Sequence, residues 1–194
     1  IHMTFNKKTI YNIIFFGFII FLFTPFGLST RSKLTQGITY VKTFIFSPSL
    51  EDMDMRDELD TYDFALRGIT NAKDVNLESL KGKVIFINYW ATWCPPCRAE
   101  MPMIRNLYDD YKDKIVFLFL TSDDKSKVEK FYLEYSYEFP TYNLLSSPPP
   151  QINSNSIPAT FILDKKGKVA VSEIGPADWN NSKVRKLLDD LLRQ

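Results

Sequence analysis

This sequence predicts an α/β fold, a mixed central sheet flanked by helices, carried behind an N-terminal transmembrane helix. Three observations predict it. From about Asp63 onward, strand-like and helix-like stretches alternate in regular order. Val84 to Trp90 is apolar on both faces, as a central buried strand is. The stretch from Ile10 to Leu28 is uncharged and dominated by Ile and Phe, the pattern of a membrane span.

The chain opens Ile1-His2-Met3, which reads as a cloning scar before the natural initiator, and residues 1–9 are expected to form a short cytoplasmic tail. Residues 10–28 come next as the anchor. As a helix they reach ~28 Å at ~1.5 Å per residue, close to the ~30 Å hydrocarbon core of a bilayer. A cleaved signal peptide is the competing reading, but no small-x-small cleavage site follows Leu28, where Ser29, Thr30 and Arg31 stand. Lys7 and Lys8 are nearly balanced by Arg31 and Lys33, so flanking charge alone does not orient the span. The short N-terminal tail and a dithiol at Cys94 and Cys97 place the bulk of the chain outside the cytoplasm.

Residues 29–62 are expected to be a juxtamembrane helix and an acidic spacer. Leu34, Ile38, Val41 and Ile45 fall at helical spacing, either on a membrane surface or packed on the domain, and Pro48 ends the run. From Glu51 to Asp63 seven carboxylates face Arg56 alone, which reads as a solvated spacer and not a metal site.

The domain proper is expected over 63–194. Phe64 to Ile69 reads as a first strand, Asp74 to Gly82 as a turn-rich approach, and Val84 to Trp90 as the central strand. A helix should start at Pro95, a residue suited to the first helical position, and run to about Lys112 with a kink at Pro102. Ile115 to Thr121 reads as the next buried strand, Ser126 to Tyr137 as a helix, and Tyr142 to Leu145 as a short edge strand before the rigid Ser146 to Pro150 loop. Ala159 to Leu163 and Lys168 to Ile174 form a hairpin about Asp164-Lys165-Lys166-Gly167. Asn180 to Arg193 closes the chain as a helix with Leu187, Leu188, Leu191 and Leu192 as its apolar stripe.

Composition narrows the function. With 45% hydrophobic and 15% aromatic residues, 194 residues can bury a sound core. A net charge of +1 and the lack of a basic cluster argue against a nucleic-acid partner. Seven scattered glycines leave no phosphate-cradling loop. The one histidine, His2, belongs to the scar, which removes Cys-His proteolysis, histidine general-base catalysis and most transition-metal chemistry.

The chemistry sits in Trp93-Cys94-Pro95-Pro96-Cys97, which holds the chain's only two cysteines, at the point where a strand gives way to a helix. Cys94 would stand at the positive end of the helix dipole, which favours its thiolate and makes it the attacking nucleophile. Cys97, one turn further in, would resolve a mixed disulfide on Cys94. A zinc half-site, a structural disulfide and two buried core cysteines are the competing readings; a structural zinc site usually needs four Cys or His ligands, which this chain lacks. Neither Pro95 nor Pro96 has an amide hydrogen to offer a Cys94 thiolate, which predicts a less depressed pKa and a reductant, with the charge of Arg98 as a partial offset.

The order of these elements around a strand-turn-Cys-x-x-Cys-helix resembles the thioredoxin fold. Leu80-Lys81-Gly82-Lys83-Val84 leading into Asn88-Tyr89-Trp90-Ala91-Thr92-Trp93-Cys94-Pro95-Pro96-Cys97-Arg98-Ala99-Glu100 is similar to the membrane-tethered TlpA and ResA branch, over roughly Asp63 to Gln194. The resemblance implies a cis bond at Ile157-Pro158, with Ile157 exposing its backbone to an extended substrate and Pro158 blocking metal capture by the sulfurs. Trp93, Pro95 and Pro96 join these as substrate-binding candidates. Where thioredoxin has a buried aspartate, this chain has Asn88, so the resemblance points to Glu100 as the site's base, against the plainer reading of a first-turn glutamate that suits the helix dipole.

Together these features predict an extracytoplasmic, inner-membrane thiol-disulfide oxidoreductase, periplasmic in its catalytic domain. It is expected to be a monomer with no cofactor beyond a Cys94-Cys97 redox disulfide and no metal. It would reduce exported proteins such as apocytochrome c with electrons from a membrane donor. An oxidase or isomerase linked to a membrane acceptor is the alternative. A peroxiredoxin-like peroxidase is disfavoured because Thr92 has the wrong offset from Cys94, and a copper-carrying module because a distal histidine is lacking. A non-catalytic binding module is the remaining reading.

Overall fold

The computed structural model describes residues 7–22, 24, 48 and 56–194. They belong to two compact units, Ile1–Thr39 and Tyr40–Gln194. In the first, α1 is the 16-residue helix Lys7–Leu22. Among the described residues no helix is long and apolar enough to cross a membrane. The end of the 10–28 stretch, Thr24 apart, lies outside the described residues, as do the 34–46 segment and residues 51–55 of the acidic run.

The second unit is a seven-stranded mixed sheet in the order β2-β1-β5-β4-β3-β6-β7. The strands are β1 (Ala65–Thr70), β2 (Val75–Asn76), β3 (Ile85–Tyr89), β4 (Val116–Leu120), β5 (Thr141–Leu144), β6 (Ala159–Leu163) and β7 (Val169–Ile174). Three helices accompany them: α2 (Pro95–Tyr111), α3 (Lys125–Tyr135) and α4 (Ser182–Arg193). β3 runs parallel to β4 and antiparallel to β6, and every residue of β3 is buried, in keeping with its apolar sequence.

The pleat sorts the core. Phe86, Phe117 and Phe119 share a cluster with Ile104 and Leu107 of α2, Val128 of α3 and Leu188 and Leu191 of α4. Ile85, Ile87, Leu118 and Leu120 point to the opposite face, onto Leu59, Phe64, Leu77 and Ile152. The apolar stripe expected on the last helix is seated in the first of these clusters, with Leu187, Leu188 and Leu191 buried and Leu192 partly so.

One expectation needs correction. Tyr142 to Leu145 is not at an edge: β5 lies between β1 and β4, with Tyr142 paired to both Gly68 and Leu120. Its polar Asn143 and exposed Leu144, with exposed Leu145 just after it, make it look like an edge, while Thr141 and Tyr142 supply the buried part. The acidic run keeps its described carboxylates Asp57, Glu58, Asp60 and Asp63 exposed to solvent, while residues between them dock on the domain. Glu58 forms an antiparallel bridge with Lys168, Leu59 is buried, and Arg56 pairs with the equally buried Asp164 at 3.6 Å. An apolar Leu59 and a cation matched to a buried carboxylate hold this stretch on the domain between its solvated carboxylates.

Asp164 also organises the β6–β7 turn. Its carboxylate accepts the N–H groups of Lys166 and Lys168, both at 2.9 Å, and Gly167 takes the left-handed backbone (φ 79°) that completes the turn.

Candidate active site

The site lies at the C-terminal end of β3. Because β6 runs antiparallel with Tyr89 opposite Ala159, the residues just before β6 meet those just after β3. The C-terminal ends of β4 and β7 reach the same margin, since Tyr89 pairs Leu120 and Ala159 pairs Ile174. This juxtaposition brings Trp93, Cys94, Ile157 and Pro158 to one end of the sheet.

Cys94 is the N-cap of α2, with Pro95 and Pro96 in the first two helical positions. Cys94 and Cys97 are joined by a disulfide of 2.07 Å, and both are buried. The two prolines carry no amide hydrogen, so the Cys97 N–H is the donor that reaches Cys94 Sγ, at 3.3 Å. Trp93 stands out from the fold at 67% exposure, Pro95 is exposed and Pro96 half-buried. The Ile157–Pro158 bond is cis. Ile157 is half-buried against the cluster that holds both cysteines, and the Pro158 carbonyl accepts the N–H of Gly175 at 2.9 Å. Arg98 lies over the rings of Phe131 and Tyr135, at 5.6 and 5.3 Å, and donates to the Tyr135 hydroxyl.

Glu100, one turn beyond Cys97, is fully buried. Asn88 Nδ2 donates to its Oε1 at 2.9 Å, while Trp179 Nε1 and the Ala177 N–H donate to Oε2 at 2.9 and 3.3 Å. Burial pushes its pKa up to about 8, and the three N–H donors hold that rise in check. A carboxyl in this range changes protonation close to neutral pH, which suits a group that takes and returns a proton. Its burial sets it apart from a first-turn glutamate that only suits the helix dipole.

Asn88 holds this carboxyl. Its amide also donates to Thr160 Oγ1, its cross-strand partner on β6, at 2.8 Å, while its own Oδ1 is buried with no hydrogen bond. The amide thus stands as a clamp on a buried carboxyl. Sequence reasoning missed the rest of the clamp. Trp179 and Ala177 lie in the β7–α4 loop, 79 and 77 residues from Glu100. The only hint was a tryptophan in an otherwise polar run, Asp178 to Ser182.

A family model described as Redoxin matches residues 60–191, about two thirds of the chain. The thioredoxin-like protein YneN of Bacillus subtilis is 34% identical over 131 residues, which cover 66% of this chain and 76% of YneN. The thiol-disulfide oxidoreductase ResA of Bacillus cereus is 37% identical over 108 residues, 53% of this chain and 61% of ResA. The chain thus spans about three fifths to three quarters of these curated relatives. Among solved structures, a candidate thiol:disulfide interchange protein DsbE from Chlorobium tepidum aligns with a TM-score of 0.57 and 25% identity, over 70% of this chain and 98% of that one. By these matches the chain belongs to the Redoxin family, as a ResA-like thiol-disulfide oxidoreductase of the thioredoxin superfamily.

Proposed function

We propose that this chain is a membrane-tethered, extracytoplasmic thiol-disulfide oxidoreductase that works as a reductant of disulfides in exported proteins such as apocytochrome c. The observation that carries the redox reading is the Cys94–Cys97 disulfide at the start of α2, with the buried Glu100 one turn behind it. In the reducing direction the Cys94 thiolate attacks one sulfur of the client disulfide. That bond breaks, and the other client sulfur leaves as a thiolate. Cys97, relieved of its proton, then attacks Cys94 Sγ in the mixed disulfide, and the second client thiolate departs. Two electrons pass to the client and the Cys94–Cys97 bond re-forms. Glu100 is the group proposed to take the proton of Cys97, because its pKa of about 8 lies near that of a thiol. Trp93, Pro95, Pro96, Ile157 and Pro158 supply the surface on which an extended client segment lies.

The apolar 10–28 stretch supports a single-pass inner-membrane anchor, and the short tail before it with the bulk of the chain after it supports a domain on the periplasmic side. A protein in that place needs a membrane partner to return electrons to its disulfide. The two prolines between the cysteines favour a reductant over an oxidase, since they remove two N–H donors from the Cys94 thiolate.

Equilibrating the full chain with graded glutathione buffers tests the reading. A Cys94–Cys97 potential well below about −200 mV is expected, and one near about −120 mV would make the protein an oxidase. Cys97→Ala should trap a mixed disulfide on Cys94. Failure of the parent to cycle at all would overturn the enzyme reading.

A further inference from the structure

The turn that presents Cys94 is held by few bonds. The Trp90 N–H extends the sheet to the Leu120 carbonyl at 2.9 Å, and the Cys94 N–H closes the turn on the Ala91 carbonyl at 3.1 Å. Between them the Thr92 N–H donates to Asp123 Oδ2 at 2.7 Å, across 31 residues of sequence. Asp123 lies in the loop between β4 and α3 and is buried at 5% exposure. A carboxylate out of water is costly unless it accepts hydrogen bonds, and a bond from a backbone N–H to a charged oxygen is roughly twice as strong as a neutral one.

The Asp123 loop is itself fixed. Its N–H donates to Thr121 Oγ1 at 3.2 Å. Asn143 on β5 reaches across with Nδ2 to the carbonyls of Thr121 and Asp123, at 2.6 and 3.2 Å. A chain of polar contacts therefore runs from the centre of the sheet, through Asp123, to the residue two places before Cys94.

We propose that Asp123 is a positioning residue for the dithiol: its carboxylate fixes Thr92 and thereby sets where Trp93 and the Cys94 sulfur stand at the start of α2. The inference rests on the redox reading of Cys94 and Cys97 and extends the site to a residue on a different loop. Position and charge make opposite demands on conservative variants. Asp123→Asn keeps an oxygen at the same place and drops the charge. Asp123→Glu keeps the charge and moves the oxygen by about one bond length.

The test measures the rate at which Cys94, in the full chain carrying Cys97→Ala, forms a mixed disulfide with oxidised glutathione at one pH, with thermal midpoints recorded for every variant. Asp123→Ala and Asp123→Glu should each slow the reaction at least about tenfold, as a misplacement on the order of 1 Å does, while Asp123→Asn stays close to the parent. A parent-like rate in Asp123→Glu with a slow Asp123→Asn would assign the effect to charge and overturn the proposal, as would a parent-like rate in Asp123→Ala. Should Asp123→Ala fail to fold, the Asn and Glu pair decides. A parent that does not react with glutathione would overturn the redox reading beneath it, a result distinct from any pattern among the Asp123 variants.

Discussion

The indole N–H of Trp179 meets the carboxyl of Glu100 at 2.9 Å, and both side chains are closed to solvent. The contact joins the loop before the last helix to the helix that carries the dithiol. It makes the protonation of one buried acid a property of three separate chain segments, since Asn88 on β3 grips the other oxygen.

Glu100 should make stability fall with rising pH. Burial raises its pKa from 4.5 to about 8, so between those values the folded chain holds a proton that the unfolded chain has released. Its stabilising contribution is whole below about 4.5 and is lost as pH rises through about 8, at up to about 1.4 kcal/mol per pH unit. Glu100→Gln should flatten that slope and be more stable than the parent above pH 8. Urea denaturation at several pH values checks this; an unchanged slope in the Gln variant would rule Glu100 out as its source.

Trp179→Phe keeps an aromatic ring, though a smaller one, and removes the donor that Glu100 Oε2 shares with the Ala177 N–H. Losing one donor to a buried acceptor costs about 1–3 kcal/mol, most of it where Glu100 is ionised. The pH at which stability levels off should therefore move above the parent's. A denaturation profile superimposable on the parent's would show that the indole bond contributes nothing.

Gly68→Ala should destabilise the sheet by about 1–3 kcal/mol. A methyl there would stand 2.4 Å from the Ala72 carbonyl oxygen, which is backbone and cannot turn aside, next to the irregular pairing of β1 with β5. The Gly68 N–H is also held by Asp74 Oδ1 at 2.9 Å, so the strand has no slack to move away. A urea midpoint equal to the parent's would show that the neighbouring chain yields.

Trp93→Ala separates stability from recognition. At 67% exposure the ring adds little to the core, so unfolding should change by no more than about 0.5 kcal/mol. Reduction of a protein disulfide should slow while reaction with oxidised glutathione persists, because only the larger substrate spreads over the ring. Equal rates on both substrates, relative to the parent, would remove Trp93 from the client surface.

Local chemistry made β3, the start of α2 and the dithiol legible, because each is declared by adjacent residues: an unbroken apolar run, two prolines at a helix start, two cysteines a turn apart. The place of β5 was hidden because Tyr142 looks the same whether it has one neighbouring strand or two. The docking of Arg56 and Leu59 was hidden by the carboxylates around them. Glu100 was visible as a residue but not as an environment, since the indole and the amide that define it arrive from loops and strands remote in sequence. Asp123 was likewise one more acidic residue until β4 and β3 were placed side by side.

The ring that the disulfide closes spans a sequence separation of only three. A loop that small restricts the unfolded chain by about 2 kcal/mol, near the low end of what a cross-link provides. Most of the hold on α2 comes instead from Met101, Ile104 and Leu107, buried along its length and untouched by oxidation or reduction. The bond at the tip can thus open and close while the architecture behind it stays assembled.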